Sequence, residues 1–593
     1  MSALRARMLL LLLMSSGCAN EDVIHCDVDS DCIQGSIPGR CLPVPSSSSQ
    51  WCAFPDSSCP SENRWGVKTG DGLARECVDG PPSSARHILS VTLGPGGSVT
   101  SEPAGVDCGS DCVEAFASDA TVVLSATPAQ GKSLVGWGGD CAPARLATTS
   151  TLTMTKDRVV SAAFAAPGTV LSLQSFGSAA NEHVDGLAID STGHVYVAGH
   201  FADMLTIGGN VLIGLGGQQD IFVAKLSATG DVVWAKAFGG PATEQALNAS
   251  VDRDGNLWLV GFFSGSINFG GGRLDSANAQ DGFVAKLNGV DGGHLLSQKL
   301  GPAAYAIAHD PLGNTYITGA FGDPFDVGGT HLPSAGSSDV YLVKFNADGH
   351  QQFALDFGGL GNESPAGLVV DADGNAVLTG TYSASVNFGS GTLPDAGSAD
   401  AFVAKLSPGG NCIWARGLGG AGQDAITSIA ADTERGIYVA GYFEQTVNFG
   451  GGAVASKGGK DVFVLKYDKS GTYQWSATAG GPGDDLGAGL ALDRNDEPVV
   501  AGNFGAIASF GSVTVVSAGD SDVFAAKLSA SAGAIQWVTR MGGSAFDAAQ
   551  FIVESPASGH AIVAGSFAST AAFGHFGATA SGSDDVFLAV LLP

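Results

Sequence analysis

Basic residues are scarce in this chain: 28 Lys and Arg stand against 57 Asp and Glu, a formal charge of -29. That balance excludes the phosphate-backbone binding that depends on Lys and Arg neutralising phosphates, so no nucleic-acid partner is expected. Charge of either sign is sparse, at 14% of residues beside 44% hydrophobic ones, which argues against disorder and for folded cores. Long apolar runs are missing too. The stretch Met8 to Met14 falls well short of the ~20 residues a membrane-spanning helix needs. No Walker-type loop and no nucleophile elbow occurs. Histidines such as His183, His194, His200, His294, His309 and His331 fall at different repeat phases, without metal-ligand spacing. What is abundant is glycine, 87 residues, with 30 Phe, the pattern of tight turns between short apolar strands and hence of an all-β fold.

The N-terminus reads as an export signal over residues 1–17, with Arg5 and Arg7 ahead of the apolar stretch and small residues before Cys18. "SSGC" resembles a bacterial lipobox, with Ser15 standing where that motif has an aliphatic residue. The resemblance implies lipidation of Cys18 and an outer-membrane or cell-surface lipoprotein that meets the membrane through its acyl anchor only. Plain secretion is the alternative. Residues 18–80 carry Cys26, Cys32, Cys41, Cys52, Cys59 and Cys77 in a segment with few apolar residues, which reads as a module of three disulfides in one of fifteen pairings. A metal site is the competing assignment, although the spacing lacks C-x2-C knuckles and His25 is the one nearby histidine.

After the linker "DGPPSSAR", residues 87–165 alternate apolar and polar positions in "TVVLSATP" and "VVSAAF", the period of half-buried strands. The runs "GPGGSVTSEPAGVDCGSDC", "VVLSATPAQGKSLVGWGGDC" and "TMTKDRVVSAAF" resemble the divergent B-type repeat of internalin-like surface proteins. That family carries a fourth cysteine before the "LTM"-like strand, where this chain has Ser150 and Thr151. The resemblance therefore implies pairing of Cys108 with Cys112, a free Cys141, and a small β module serving as spacer or adhesive unit.

From residue 168 to 593 an internal repeat dominates. The Asp heading "DxFxxKx" recurs at Asp220, Asp281, Asp339, Asp400, Asp461, Asp522 and Asp585, at spacings of 61, 58, 61, 61, 61 and 63 residues. The Gly closing "VYVAG"-type strands keeps step at Gly199, Gly261, Gly319, Gly380, Gly441, Gly502 and Gly565. Each unit reads as four antiparallel strands with a long loop, such as Ala202 to Gln219, between the second and third. Seven such units predict a seven-bladed β-propeller, with a linear solenoid as the competitor. The last unit ends at "DDVFLAVLLP" without a fourth strand, while "GTVLSLQSFG", Gly168 to Gly177, precedes the first and matches fourth-strand pieces such as "DVVWAKAFGG". Phe176 falls where Phe238 falls, and Ser172 where Trp234 falls. We therefore expect this N-terminal strand to complete the seventh sheet and remove its open edge. The motifs "FGG" (Phe238, Phe357), "DxDGN" (Asp252 to Asn256, Asp371 to Asn375), "VNFG" (Val386 to Gly389, Val447 to Gly450) and "DVFVLK" resemble the SBBP, or seven-bladed propeller, repeats of bacteria. That resemblance implies a fold and leaves activity open.

Three sets of polar residues keep the repeat phase. "DRDGN" and "DADGN" lack the downstream Glu and flanking helices of a calcium hand and read as hairpin turns. Asp190, Asp252, Asp310, Asp371, Asp432 and Asp493, each ending a first strand, are expected to pair with Lys225, Lys286, Lys344, Lys405, Lys466 and Lys527 of the third strands, because a buried Lys is costly without a partner. Glu182, Glu244, Glu363, Asp424, Asp485 and Asp547 enter the first strands. They either satisfy N–H groups of the "GG" turns or form an acidic rim for Ca2+ or a basic partner. A monomeric surface or secreted scaffold binding protein or carbohydrate on this rim face is the leading expectation. A propeller hydrolase or lyase with an acid and His pair at the axial mouth is the alternative.

Overall fold

A computed structural model describes residues 86–108, 112–142 and 147–592, together with the backbone of short strands between positions 33 and 65. Residues 1–17, Cys18, Cys26, Cys32, Cys59 and Cys77 lie outside the described residues. Cys41 and Cys52 are cross-strand backbone partners between Arg40–Pro43 and Gln50–Pro55. The chain divides into two compact units, residues 1–127 with 136–163, and residues 128–135 with 164–593. The described residues contain strands and turns and no α-helix.

In the first unit two four-stranded sheets form. Thr121–Pro128 shows how sequence makes them: burial alternates along the strand, placing Val122, Leu124 and Ala126 in the core and Thr121 and Thr127 in solvent. A disulfide joins Cys108 to Cys112, and Cys141 is buried and free. Both agree with what the internalin-type resemblance implies.

In the second unit each repeat builds a four-stranded meander. Repeat one runs His183–Ile189, Val195–Phe201, Asp220–Leu226 and Val232–Phe238 in that spatial order. The two middle strands are buried at every position, so they read as continuous apolar runs, whereas the first and fourth strands mix buried with half-buried positions. Repeat seven supplies Asp547–Glu554, Ala561–Phe567 and Asp585–Leu591, and Val170–Phe176 adds antiparallel to the last of these. Ser172 lies opposite Val590 and Phe176 opposite Val586, the register in which Trp234 lies opposite Lys225 and Phe238 opposite Ile221. Gly168 N–H donates to Leu592 O (2.7 Å) and Leu592 N–H to Thr169 O (2.9 Å).

The core is a series of clusters between consecutive sheets. One joins Tyr438 and Trp475 of repeat five to Val500 and Phe524 of repeat six, and another joins Ile562 and Leu588 of repeat seven to Val197 and Phe222 of repeat one. First strands of successive repeats touch, including those of repeats seven and one.

One expectation needs correction. The segments between second and third strands are two-stranded hairpins, such as Met204–Ile207 with Asn210–Ile213, because Leu205, Ile207 and Leu212 alternate into the core. In repeats six and seven they extend the preceding sheet, Ile507–Phe510 pairing with Tyr473–Gly480 and Thr570–Phe573 with Ile535–Gly543.

Candidate functional site

Several contacts between sheets share the same devices. A fourth-strand Trp lays its ring on the glycine of the next repeat's last turn: a Cβ on Gly292, Gly471 or Gly533 would stand 3.0, 2.7 or 2.5 Å from the ring of Trp234, Trp414 or Trp475. Each of these glycines has positive φ (67°, 77° and 64°), a conformation that also favours glycine. The indole N–H then donates to a carbonyl of the same turn, Trp234 to Gly289 O (3.4 Å), Trp414 to Lys469 O (3.2 Å) and Trp475 to Ala530 O (2.9 Å). The third-strand Lys often reaches the same carbonyl, as Lys225 does to Gly289 O (2.7 Å) and Lys344 to Pro408 O (2.9 Å). A second-strand tyrosine donates to the next repeat's first turn, from Tyr196, Tyr316 and Tyr438 to Gly255, Gly374 and Asp496 O, each at 3.1 Å.

Between repeats two and three both devices are missing, as they are between repeats seven and one, where Ser172 and Ile562 hold the two positions, while Phe353 takes the tryptophan position between repeats three and four. Leu296 occupies the tryptophan position opposite Lys286, and Trp258 occupies the tyrosine position. Nothing lies within 4 Å of a Cβ on Gly349, the glycine that should bed the missing ring. Ala347 O and Gly313 O, the carbonyls matching the acceptors above, receive no hydrogen bond from the described residues. A pocket of about 520 Å³ results, floored by Val284, Leu296, Ile317 and Phe345 and walled by Trp258 and Lys286.

Its polar groups are arranged by the first-turn Asp. Asp252 Oδ1 accepts from the N–H of Asp254 and Asn256 (3.0 and 2.9 Å), and Oδ2 accepts from Trp258 Nε1 (3.0 Å) and Lys286 Nζ (2.8 Å). Burial opposes its charge, but the donated bonds of Lys286 and Trp258 prevail and hold the carboxyl below its ordinary range. Lys286 stands 5.0 Å from the Trp258 ring centroid and keeps 23% of its side chain exposed, against 3% for Lys405. His309 lies against Trp258 (5.3 Å between rings) with Nδ1 3.1 Å from Thr315 Oγ1, and burial pushes its pKa down to about 4, so it is neutral at pH 7.

Of the expected charge pairs, five form: Asp190–Lys225 (3.4 Å), Asp252–Lys286 (2.8 Å), Asp371–Lys405 (2.8 Å), Asp432–Lys466 (3.1 Å) and Asp493–Lys527 (2.7 Å). Asp310–Lys344 is the exception. The Asn314 amide takes Asp310 Oδ2 (2.5 Å), while Lys344 turns to Pro408 O and the Tyr316 ring. "DRDGN" and "DADGN" are turns in which the leading Asp accepts the following N–H groups and Gly255 and Gly374 hold φ of 79° and 81°.

The six acids read either as partners of the turn N–H groups or as a rim are buried and bonded to those turns. Glu182, Glu244, Glu363, Asp424, Asp485 and Asp547 are at most 2% exposed. Each accepts a backbone N–H of the turn before it, from Ser178, Gly240, Gly359, Gly420, Gly481 and Gly543 at 2.6 to 3.0 Å. Each also faces a third-strand carboxyl of the preceding sheet, Asp585, Asp220, Asp339, Asp400, Asp461 or Asp522. Burial first, and this like-charged neighbour second among the groups that act upward, raise Glu244 and Glu363 to about 7. Among the described residues no cluster of three or more metal-ligating side chains forms.

Two features escaped the sequence-based reading. His200 Nδ1 lies 2.6 Å from Asp185 Oδ2, with His183 stacked 5.0 Å away, an acid and His pair buried between strands. It does not line the cavity of about 270 Å³ among the first strands of repeats two to seven, whose polar lining includes Asn248, Tyr305, Thr427 and Gln550 and no acid or histidine. The pocket over Leu296 had a visible signal, the one aliphatic residue in a column holding Trp234, Trp414, Trp475 and Trp537.

Comparison with known proteins gives partial likenesses. Residues 87–168 match the family described as the divergent InlB B-repeat domain. The chain is 27% identical over 199 residues to the "Uncharacterized WD repeat-containing protein L264" of Acanthamoeba polyphaga mimivirus, an alignment covering 28% of this chain and 14% of that protein. It is 25% identical over 361 residues to the "Regulatory protein FlaEY" of Caulobacter vibrioides, covering 55% of this chain and 36% of the relative. The chain thus spans well under half the length of either relative. Among solved structures, the Dos1 propeller has a TM-score of 0.38 at 9% identity, covering 71% of this chain and 95% of its own. A Dyadobacter fermentans protein of unknown function has a TM-score of 0.36 at 9% identity, covering 71% and 98%.

Proposed function

We propose that this chain is an exported binding scaffold in which residues 168–593 form a closed seven-bladed β-propeller, and that the pocket between repeats two and three holds its ligand. Export is supported by Arg5, Arg7 and the apolar stretch before Cys18, and by six cysteines within residues 26–77. Closure is supported by the antiparallel pairing of Val170–Phe176 with the last strand and by the cluster joining repeats seven and one. A ring of meanders leaves no long unpaired edge, which suits a scaffold that stays soluble while displaying a site.

The observation that carries the binding role is the vacancy over Gly349. Where Leu296 stands in the tryptophan position nothing refills the space over Gly349, and a mixed apolar and polar pocket is left, of a size within the ~300–1,000 Å³ typical of small-molecule sites. Ligand-observed NMR with a fragment collection on the full chain tests this role. Fragments should bind the wild type and be lost from Leu296→Trp, which supplies the ring that Trp234, Trp414 and Trp475 hold in the same register. Fragments that bind both proteins equally would place the site elsewhere.

A further inference from the structure

Resting on the pocket assigned above, we infer that its ligand is a neutral saccharide, bound by hydroxyl groups that take over the hydrogen bonds lost with the missing indole and phenol.

The lost partners define what the ligand must supply. Ala347 O stands where Gly289, Lys469 and Ala530 O accept an indole N–H, and Gly313 O stands where Gly255 and Gly374 O accept a tyrosine O–H. Both carbonyls, on the exposed Ala347 and the half-buried Gly313, are therefore open to donors of a ligand. Lys286 wants the opposite. An ammonium has three protons; one goes to Asp252, and no next-repeat carbonyl takes another as Gly289 O does from Lys225. An acceptor is needed there, a few ångströms from groups that need donors. Hydroxyls serve as both, and a ligand carrying several of them on one ring meets donor and acceptor needs a few ångströms apart, which a hydrocarbon surface cannot. The third requirement is an apolar face, because Leu295, 47% exposed, and Leu296 line the same pocket. A sugar ring has such a face of C–H groups between its hydroxyls.

Charge argues for neutrality. Both oxygens of Asp252 are already occupied by donors, which leaves no buried carboxylate for a cationic ligand. The charged lining consists of Arg253 and Lys286 against Asp252, Asp254 and Asp348, so no excess of positive charge awaits an anion. Asp348, exposed at the rim, would repel an acidic sugar and accept from a hydroxyl.

Isothermal calorimetry of the full chain against neutral mono- and disaccharides, with the matching uronic acids and amino sugars, tests the assignment. At least one neutral sugar should bind, with affinity reduced tenfold or more in Leu296→Trp and threefold or more in Leu295→Glu. The latter alters an exposed rim position and so tests the pocket even if Leu296→Trp misfolds. A preference for the uronic acid or the amino sugar would overturn neutrality. Sugar binding untouched by both variants would overturn the location. If fragments bind in a Leu296→Trp-sensitive way and no sugar does, the saccharide assignment falls while the pocket remains the binding site.

Discussion

The interface between repeats five and six and the one between repeats two and three begin from the same repeated pattern and end differently. At the first, Trp475 beds on Gly533, donates to Ala530 O, and meets Tyr438 edge-on at 5.8 Å between rings. At the second, the glycine and both carbonyls persist while the ring is gone. A protein interior packs like a molecular crystal, so the volume of an indole cannot be removed without collapse or a cavity. Neighbouring sheets, each fastened by its own meander, hold the walls apart here, and a cavity results. A repeat array can thus acquire a site by losing one packing residue at one interface, because the other interfaces carry the stability.

The sharpest way to break the comparison is to make the filled interface resemble the open one. Trp475→Ala should cost about 3–5 kcal/mol of unfolding free energy, the usual loss for a buried Trp, because the rigid turn around Gly533 cannot close the gap. Urea unfolding followed by circular dichroism measures it. A loss below ~1 kcal/mol would mean that the interface collapses freely, and then the cavity at Leu296 would need another cause.

A smaller difference is expected between two lysines of the same repeat phase. Lys405 and Asp371 are 3% and 0% exposed, whereas Lys286 is 23% exposed. Lys405→Met strands a buried carboxylate and should cost about 3 kcal/mol. Lys286→Met leaves Asp252 its backbone and indole donors beside solvent, and should cost roughly 1 kcal/mol or less. Equal losses in matched urea titrations would contradict the view that the interface at repeat two is open to water.

Much of this contrast is present in the amino-acid order, and its limits have physical causes. The period, the strand positions and the place of Ser172 and Phe176 in the strand added to the last sheet follow from alternation and column matching, since strand register transmits side-chain identity directly. The Asp–Lys columns are legible for the same reason, and fail at Asp310, where Lys344 turns to Pro408 O although the matching Asn375 leaves the Asp371–Lys405 pair intact. Leu296 is visible as a departure from Trp, yet a vacancy belongs to two sheets at once and cannot be seen in either. Burial of the six acids is hidden likewise. Their loops look polar and exposed in one repeat, and only the neighbouring sheet covers them.

That neighbouring sheet also sets the smallest predicted effect, in which the interfaces differ by sign. At Glu244 and Glu363 burial beside Asp220 and Asp339 raises the pKa to about 7, above the ordinary 4.5. The folded chain therefore binds protons that the unfolded chain releases. Stability from these groups is complete below about pH 4.5 and is lost as pH rises through about 7. The interface of repeats two and three has Pro302 instead of an acid, and Lys299 reaches Asp281 at 3.2 Å. Burial opposes ionisation of Asp281, but the Ala277 N–H, the Asn278 amide and Lys299 lower its pKa, so its contribution is present above pH 3.8 and is lost as pH falls through the depressed value. Glu363→Gln should leave the fold intact at pH 5, raise the melting temperature above wild type at pH 8, and flatten the decline between them. If the wild type instead regains its pH 5 melting temperature at pH 8 on addition of millimolar Ca2+, and Glu363→Gln does not respond, Glu363 and Asp339 hold a cation rather than a proton, because this pair then has a charge partner that no side chain supplies.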